Sequence, residues 1–295
     1  SLELYVRLCA SSPYLTGILT SNPGMIDELM DSLLLDRLPT IAMLEGTLQD
    51  LCRGAEDIDP ILHSFKAAQH LRVGVRDILA KGTIDETTRA LADVAEVCLK
   101  QIASREFQRL EERYGEPTFR GSDGKQQKCE LIVLALGKLG GREPNYHSDL
   151  DLIFLYDGEG QTLPRRTERK SERSTTNQHF FSELGQRLLK VVDRLGPYGR
   201  LYEVDTRLRL TGKSGALAVS IDEFAHYFAE EKVPLSERQA LCKARPICGS
   251  EQGCQRIMEV IGHTLRNPPW KDAYIHEIAE TRHRLEASAS PRNLK

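Results

Sequence analysis

Apolar positions recur along this chain in two rhythms, and the change between them divides it. Over residues 1 to about 115 they return every three or four residues, in SLELYVRLCASS, PGMIDELMDSLLL and DPILHSFKAAQHLRVGVRDIL, which predicts amphipathic helices. Pro13, Pro23, Pro39 and Pro60 fall at the junctions, where proline is tolerated. From Asp85 to Tyr114 there is neither Gly nor Pro. Leu91, Val94, Cys98, Ile102, Leu110 and Tyr114 recur there near the helical period, predicting one long helix closed by Gly115 and Pro117. This half reads as a scaffold, with His63 and His70 as packing or surface residues.

A second rhythm begins after TFRGSDGKQQK (118–128), which reads as a polar loop. Short apolar runs, Cys129–Leu136 and Leu150–Tyr156, predict buried strands. The alternating LYEVDTRLRL (Leu201–Leu210) predicts a third, and a short fourth falls near Ala216–Ser220. Between the second and third, residues 178–195 predict a helix with Phe181, Leu184, Leu188, Val191 and Leu195 facing inward and Thr176 or Asn177 as its cap. The polar, basic stretch 158–176 reads as a solvated loop, or else as a docking arm or a flap. From Asp222 to Leu285 the helical period returns, SERQALCKAR included, with a break at Asn267-Pro268-Pro269 and Trp270 read as packing. The expected fold class is α+β: a helical region over 1–117, a sheet-bearing core over 118–221 and a helical region over 222–295.

Composition narrows the classes. The 295 residues are 40% apolar and 28% charged, as in a soluble globular protein. A net charge of −3 gives no field that would draw the chain to nucleic acid or membrane. The seven cysteines are scattered, odd in number and without a C-x-x-C, which argues against structural disulfides and zinc and fits a reducing, cytoplasmic setting. No apolar run reaches the roughly 18–20 residues of a membrane span, and no signal peptide is legible.

The chemistry concentrates in GKLGGREPNYHSDLDLIFLYD (Gly137–Asp157). Side chains alternate along a strand, so Asp149 and Asp151 share a face with Cα atoms roughly 7 Å apart, while Leu150 and Leu152 turn to the core. Paired carboxylates repel; two Mg²⁺ ions roughly 3.5–4 Å apart would account for the pairing, with nucleotide phosphates completing the ligand set. Two solvated aspartates at a strand start are the plainer reading. What shifts the balance is Asp205, which shares a strand face with Arg207 and Arg209, two guanidinium groups suited to phosphate.

These residues, with TGKSGAL (Thr211–Leu217), SERQALCKAR (Ser236–Arg245) and SNPGMIDEL (Ser21–Leu29), resemble the bacterial glutamine-synthetase adenylyltransferases, of the DNA-polymerase-β-like nucleotidyltransferase superfamily. The resemblance runs the length of the chain. It implies a mixed sheet of the polymerase-β type, and helical sequence beyond Lys295, so the chain reads as a fragment. It implies that Gly140, Gly141 and Ser148 hold the β- and γ-phosphates of ATP, with Lys138 as a counter-charge, although the turn is not a Walker A loop. Lys243 and Arg245 are further candidates to line the site. Leu210 stands where the family usually has proline, which loosens the expected placement of Lys213 and Ser214.

The activity implied is transfer of AMP from ATP to a tyrosine hydroxyl of glutamine synthetase, with Asp149, Asp151 and Asp205 holding two Mg²⁺ ions. A PII-type signalling protein is the implied regulatory partner. The wording around Tyr202–Asp205 and SERQALCKAR resembles the AMP-adding unit. The AMP-removing unit carries the same three aspartates, and a silent sensing module stays open as well.

Overall fold

The computed structural model describes residues 2–25, 37–121, 124–164, 174–206, 216–230, 233–267 and 271–288. Predicted features at 26–36, 165–173, 207–215 and 268–270, among them Arg207, Arg209, Lys213, Ser214, Trp270 and most of the basic stretch, lie outside these residues.

The described part of the N-terminal half is helical, as its period predicts, while most of the predicted PGMIDELMDSLLL helix lies outside the described residues. α1 (Leu2–Ser11), α2 (Pro13–Ser21), α3 (Ile41–Cys52) and α4 (Asp59–Ile78) lead into α5 (Ile84–Tyr114). Thr83 begins α5 with a capping box: its hydroxyl accepts from the Glu86 amide while the Glu86 carboxylate accepts from the Thr83 amide. Among the described residues no helix is long and apolar enough to cross a membrane.

A mixed sheet sits beside this scaffold, giving an α+β fold consistent with the polymerase-β-like type. Its centre is an antiparallel pair, β3 (Leu131–Ala135) and β4 (Leu150–Tyr156). Two strands add to the far edge of β4 in parallel: β6 (Val204–Asp205) at its start and β7 (Ala218–Ser220) at its end. Both faces are covered, which is why β3 and β4 read as continuous apolar runs. Leu131, Val133, Leu152, Phe154 and Tyr156 face α5 and α7 (Asn177–Val192), where the Tyr156 and Phe181 rings stack 5.0 Å apart. Ile132, Leu134, Ile153 and Leu155 face α8 (Ile221–Ala229) and α10 (Glu251–Arg266). Each fully buried Leu or Phe contributes about 1.5–3 kcal/mol, so both layers hold β4 in place.

The structure corrects four element assignments. Residues 118–128 are not a loop: β1 (Glu116–Arg120) and β2 (Gln126–Lys128) pair antiparallel. β5 (Gly160–Leu163), inside the stretch read as a solvated loop, pairs with β1 to complete a small three-stranded sheet. The buried Asn177 amide clamps it, donating 2.9 Å bonds to the carbonyls of Thr118 and Gly158, contacts that no local pattern reveals. Part of SERQALCKAR is also extended. After α9 (Leu235–Ala240) and a 3₁₀ turn (Leu241–Lys243), β8 (Arg245–Cys248) pairs with β3 at the sheet edge, where Pro246 is tolerated. Finally, α7 ends at Val192, so Leu195 lies beyond it and is exposed rather than facing inward.

The described part of the third predicted strand shortens to Val204–Asp205, with Leu201 and Tyr202 buried ahead of it. α11 (Ala273–Ser288) follows α10.

Candidate active site

The start of β4 lies where the sheet changes partners, and parallel register decides what meets there. Leu150 pairs with Val204 and Asp151 with Asp205, with the Leu150 amide donating to the Glu203 carbonyl at 2.9 Å. Asp149 sits one residue ahead of the strand. Each of the three aspartates offers a carboxylate oxygen within 4.8 Å of the other two. Asp149 is exposed; Asp151 and Asp205 are half-buried. Residues 54 positions apart thus form one acidic cluster, brought together by the parallel pairing of β4 and β6.

The glycine turn shapes the space around it. A single helical turn, α6 (Gly137–Gly140), follows β3, and the Leu136 amide donates to the Asp151 carbonyl at 2.9 Å. Gly137 has φ +51°, and a Cβ there would lie 2.1 Å from Asp151 Oδ2. Its missing side chain makes room for the carboxylate. Gly140 is wedged between backbones instead: a Cβ would meet the Lys243 carbonyl oxygen at 2.1 Å and that of Ala135 at 2.7 Å. The Gly140 and Gly141 amides, expected to face phosphate, donate to Leu136 and Gly137 within the turn. Gly137, in the glycine-rich turn but not among its expected phosphate-holding glycines, is the one against the acidic cluster, and its sequence signal is its place after the predicted strand Cys129–Leu136.

Ser148 belongs to the loop entering Asp149. Its hydroxyl accepts from the Asn145 amide at 2.9 Å and lies 3.0 Å from Asn145 Oδ1, which also accepts from the His147 amide. These local bonds fix the approach of the chain to β4. Lys138 is exposed on the turn.

Opposite the aspartates, the α9 segment and the 3₁₀ turn close a cavity of about 690 Å³. Leu136, Gly137, Asp151 and Asp205 line one wall; Ser236, Glu237, Gln239, Cys242 and Lys243 line the other. The volume suits a small ligand of nucleotide size. Lys243 pairs with Glu143, both about half exposed. Glu237 accepts a 2.7 Å bond from the Tyr227 hydroxyl, and burial with this carboxylate close by raises the phenol to about 12. The polar residues of α9 are the part of the site that no spacing rule marked.

Arg245 does not line this cavity. Its guanidinium takes Glu96 of α5 in bidentate fashion, at 2.5 and 3.1 Å, and donates to the carbonyls of Leu139 and Gly140. Glu96 is buried, and Arg142 beside it bonds Asp93 at 2.6 Å. Burial raises the Asp93 carboxyl despite the opposing pull of Arg142. This network ties the long helix to the glycine turn, so Arg245 acts on the site through the backbone.

A family profile for glutamate-ammonia ligase adenylyltransferase matches residues 2–259. Among curated proteins the chain is 33% identical, over 298 aligned residues, to the bifunctional glutamine synthetase adenylyltransferase/adenylyl-removing enzyme of Thioalkalivibrio sulfidiphilus; the match covers 99% of this chain and 30% of the relative. The Pseudomonas aeruginosa protein of the same name is 31% identical over 99% of this chain and 29% of its own length. That of Xanthobacter autotrophicus is 33% identical over 90% and 26%. The chain therefore spans less than a third of the length of these relatives.

Proposed function

The chain belongs to the glutamate-ammonia ligase adenylyltransferase family, and from that premise we propose that it transfers AMP from ATP to a tyrosine hydroxyl of glutamine synthetase, releasing pyrophosphate. The observation that carries the proposal is the meeting of Asp149, Asp151 and Asp205 in one cluster, two of whose members, Asp151 and Asp205, line a nucleotide-sized cavity.

The donor set fits magnesium. All three groups are hard carboxylate oxygens, and one of them is open to solvent, which suits an ion that keeps waters and takes phosphate oxygens. When bound there, Mg²⁺ neutralises phosphate charge and eases deprotonation of a phenol whose ordinary pKa is about 10. The protein's own part is positioning and electrostatics. The parallel register of β4 and β6 sets the spacing of Asp151 and Asp205, and Gly137 leaves the Asp151 carboxylate its room. Lys243 at the mouth exchanges Glu143 for a phosphate oxygen, with Lys138 and Ser148 as further contacts from the turn and the entering loop. Arg207 and Arg209, two and four residues after Asp205 in sequence, are assigned to the triphosphate as well. No covalent enzyme intermediate is required. A PII-type signalling protein is the proposed regulator.

A second reading has its own support, since the relatives' printed names include an adenylyl-removing activity. The three aspartates serve both directions equally. Incubation with α-labelled ATP, Mg²⁺ and glutamine synthetase is expected to label tyrosine. ADP release from adenylylated synthetase and phosphate, with no labelling in the first reaction, would assign the removing activity instead; neither product would leave a nucleotide-sensing module.

A further inference from the structure

Beside the aspartates lies a cluster of rings that the reading above does not use. α2 contributes Tyr14, and α4 contributes Lys66 and His70 one turn apart. The loop entering β4 contributes Tyr146 and His147, and the segment entering β6 contributes Tyr202. The Tyr14 hydroxyl and His70 Nδ1 are hydrogen-bonded at 2.8 Å. Tyr14 meets the His147 ring edge-on at 4.9 Å between centroids, and His70 lies 5.6 Å from Tyr146 and 6.4 Å from Tyr202. The Lys66 ammonium donates to the Leu201 carbonyl and sits 4.0 Å from the centre of the Tyr202 ring.

Judged by stability alone, this is a costly core. His70 Nε2, the Tyr146 hydroxyl and the Tyr202 hydroxyl are buried without a hydrogen-bond partner, and the one other such side-chain atom among the described residues is Asn177 Oδ1. Each unsatisfied group costs about 1–3 kcal/mol. Burial also pulls the Lys66 ammonium down to about 8 and the His70 imidazole well below its ordinary value. Leucine and phenylalanine would fill the same space without these costs, and departures of this kind gather at functional sites. The position fits. His147 stands two residues before Asp149, and Tyr202 three before Asp205.

We propose that Lys66 and His70 are positioning residues for the acidic cluster. One face of α4 grips both segments that deliver the outer carboxylates, the Tyr146–His147 loop and the Leu201–Tyr202 segment. It thereby fixes the separation of Asp149 and Asp205 about the central Asp151. Through this contact the helical half sets the geometry of the site. The inference rests on the reading of the three aspartates as a divalent-metal site.

The test uses Mn²⁺ as the probe, titrated into the whole chain and followed by the electron paramagnetic resonance of the free ion, with melting measured in EDTA. Lys66→Met keeps much of the volume and loses the bond to Leu201; Tyr14→Phe keeps the ring and loses the bond to His70. Leu48→Ala, deep in the helical core on α3, is the control for general destabilisation. Lys66→Met is expected to raise the Mn²⁺ dissociation constant about tenfold, the scale of a lost second-layer contact, and Tyr14→Phe severalfold, while Leu48→Ala lowers the melting temperature and leaves Mn²⁺ affinity alone. If Lys66→Met does not fold, Tyr14→Phe decides. Wild-type affinity in the folded variants, or an equal loss in Leu48→Ala, would overturn the positioning role. Asp151→Asn separates the two claims: Mn²⁺ binding that it abolishes and Lys66→Met spares defeats this inference alone, whereas no binding by the unaltered protein defeats the metal reading and this inference together.

Discussion

Replacing Gly137 with alanine separates a residue that serves the site from one that serves the fold. At φ +51° an L-residue is strained by roughly 1–2 kcal/mol. The new methyl would also lie 2.1 Å from Asp151 Oδ2. That atom is the tip of a side chain, so the carboxylate can turn away and the backbone need not move. With about 2–4 °C lost per kcal/mol in a chain of this size, melting should fall by about 2–8 °C. The site fares worse, because the turned carboxylate no longer meets Asp149 and Asp205; Mn²⁺ affinity should drop about 10- to 100-fold. Gly140→Ala should show the reverse balance. Its methyl meets backbone oxygens on two sides, 2.1 Å from Lys243 and 2.7 Å from Ala135, and neither can rotate away. Overpacking of this kind costs about 1–3 kcal/mol or more and forces β3 and the 3₁₀ turn apart. Melts in EDTA together with Mn²⁺ titrations read both effects. Wild-type Mn²⁺ affinity in Gly137→Ala would refute the reasoning, as would a larger loss of melting temperature there than in Gly140→Ala.

Asp151→Asn should abolish AMP transfer while the metal-free melting temperature holds or rises, since one of three mutually repelling carboxylates is removed; the melting gain from Mg²⁺ and ATP should shrink with it, and an active variant would remove the proposed site. Arg245→Met leaves the buried Glu96 carboxylate with only Arg142, 3.9 Å away, and frees the glycine turn, so it should cost about 2–3 kcal/mol in urea unfolding, below the usual loss for a fully unpaired buried charge, and the cost should be largely recovered in the Glu96→Leu, Arg245→Met pair. Burial lowers the Lys66 ammonium from an ordinary 10.5 to about 8. Between those values the unfolded chain binds the extra proton, so wild-type stability should rise relative to Lys66→Met as pH increases from about 8; a constant difference in urea midpoints across that window would count against the buried ammonium.

The sequence by itself determined the elements with a strong local period, and with them the identity of the acidic cluster. Cys129–Leu136 and Leu150–Tyr156 are apolar apart from Glu130 and Asp151 because helices cover both faces of the sheet, and the unbroken helical period from Asp85 to Tyr114 announces α5. Alternation along a strand is a local property too, so Asp149 and Asp151 read as a pair from the sequence, with Asp205 as a candidate third carboxylate; that Asp205 meets them was decided by the parallel pairing of β4 and β6. Tertiary structure alone decided the rest. β1, β2 and β5 are short and polar, held by Asn177 and by pairing across the small sheet, and no periodicity encodes such bonds. β8 carries an arginine and a proline and becomes a strand because β3 has a free edge for it. Arg245 resembled a site residue until Glu96, 149 positions earlier, claimed its charge. Gly137 and Lys66 differ in the same way from other residues of their kind. What sets each apart is a neighbour brought close by folding, Asp151 for the one and Leu201 for the other, and the distance between such partners is fixed by packing rather than by spacing along the chain.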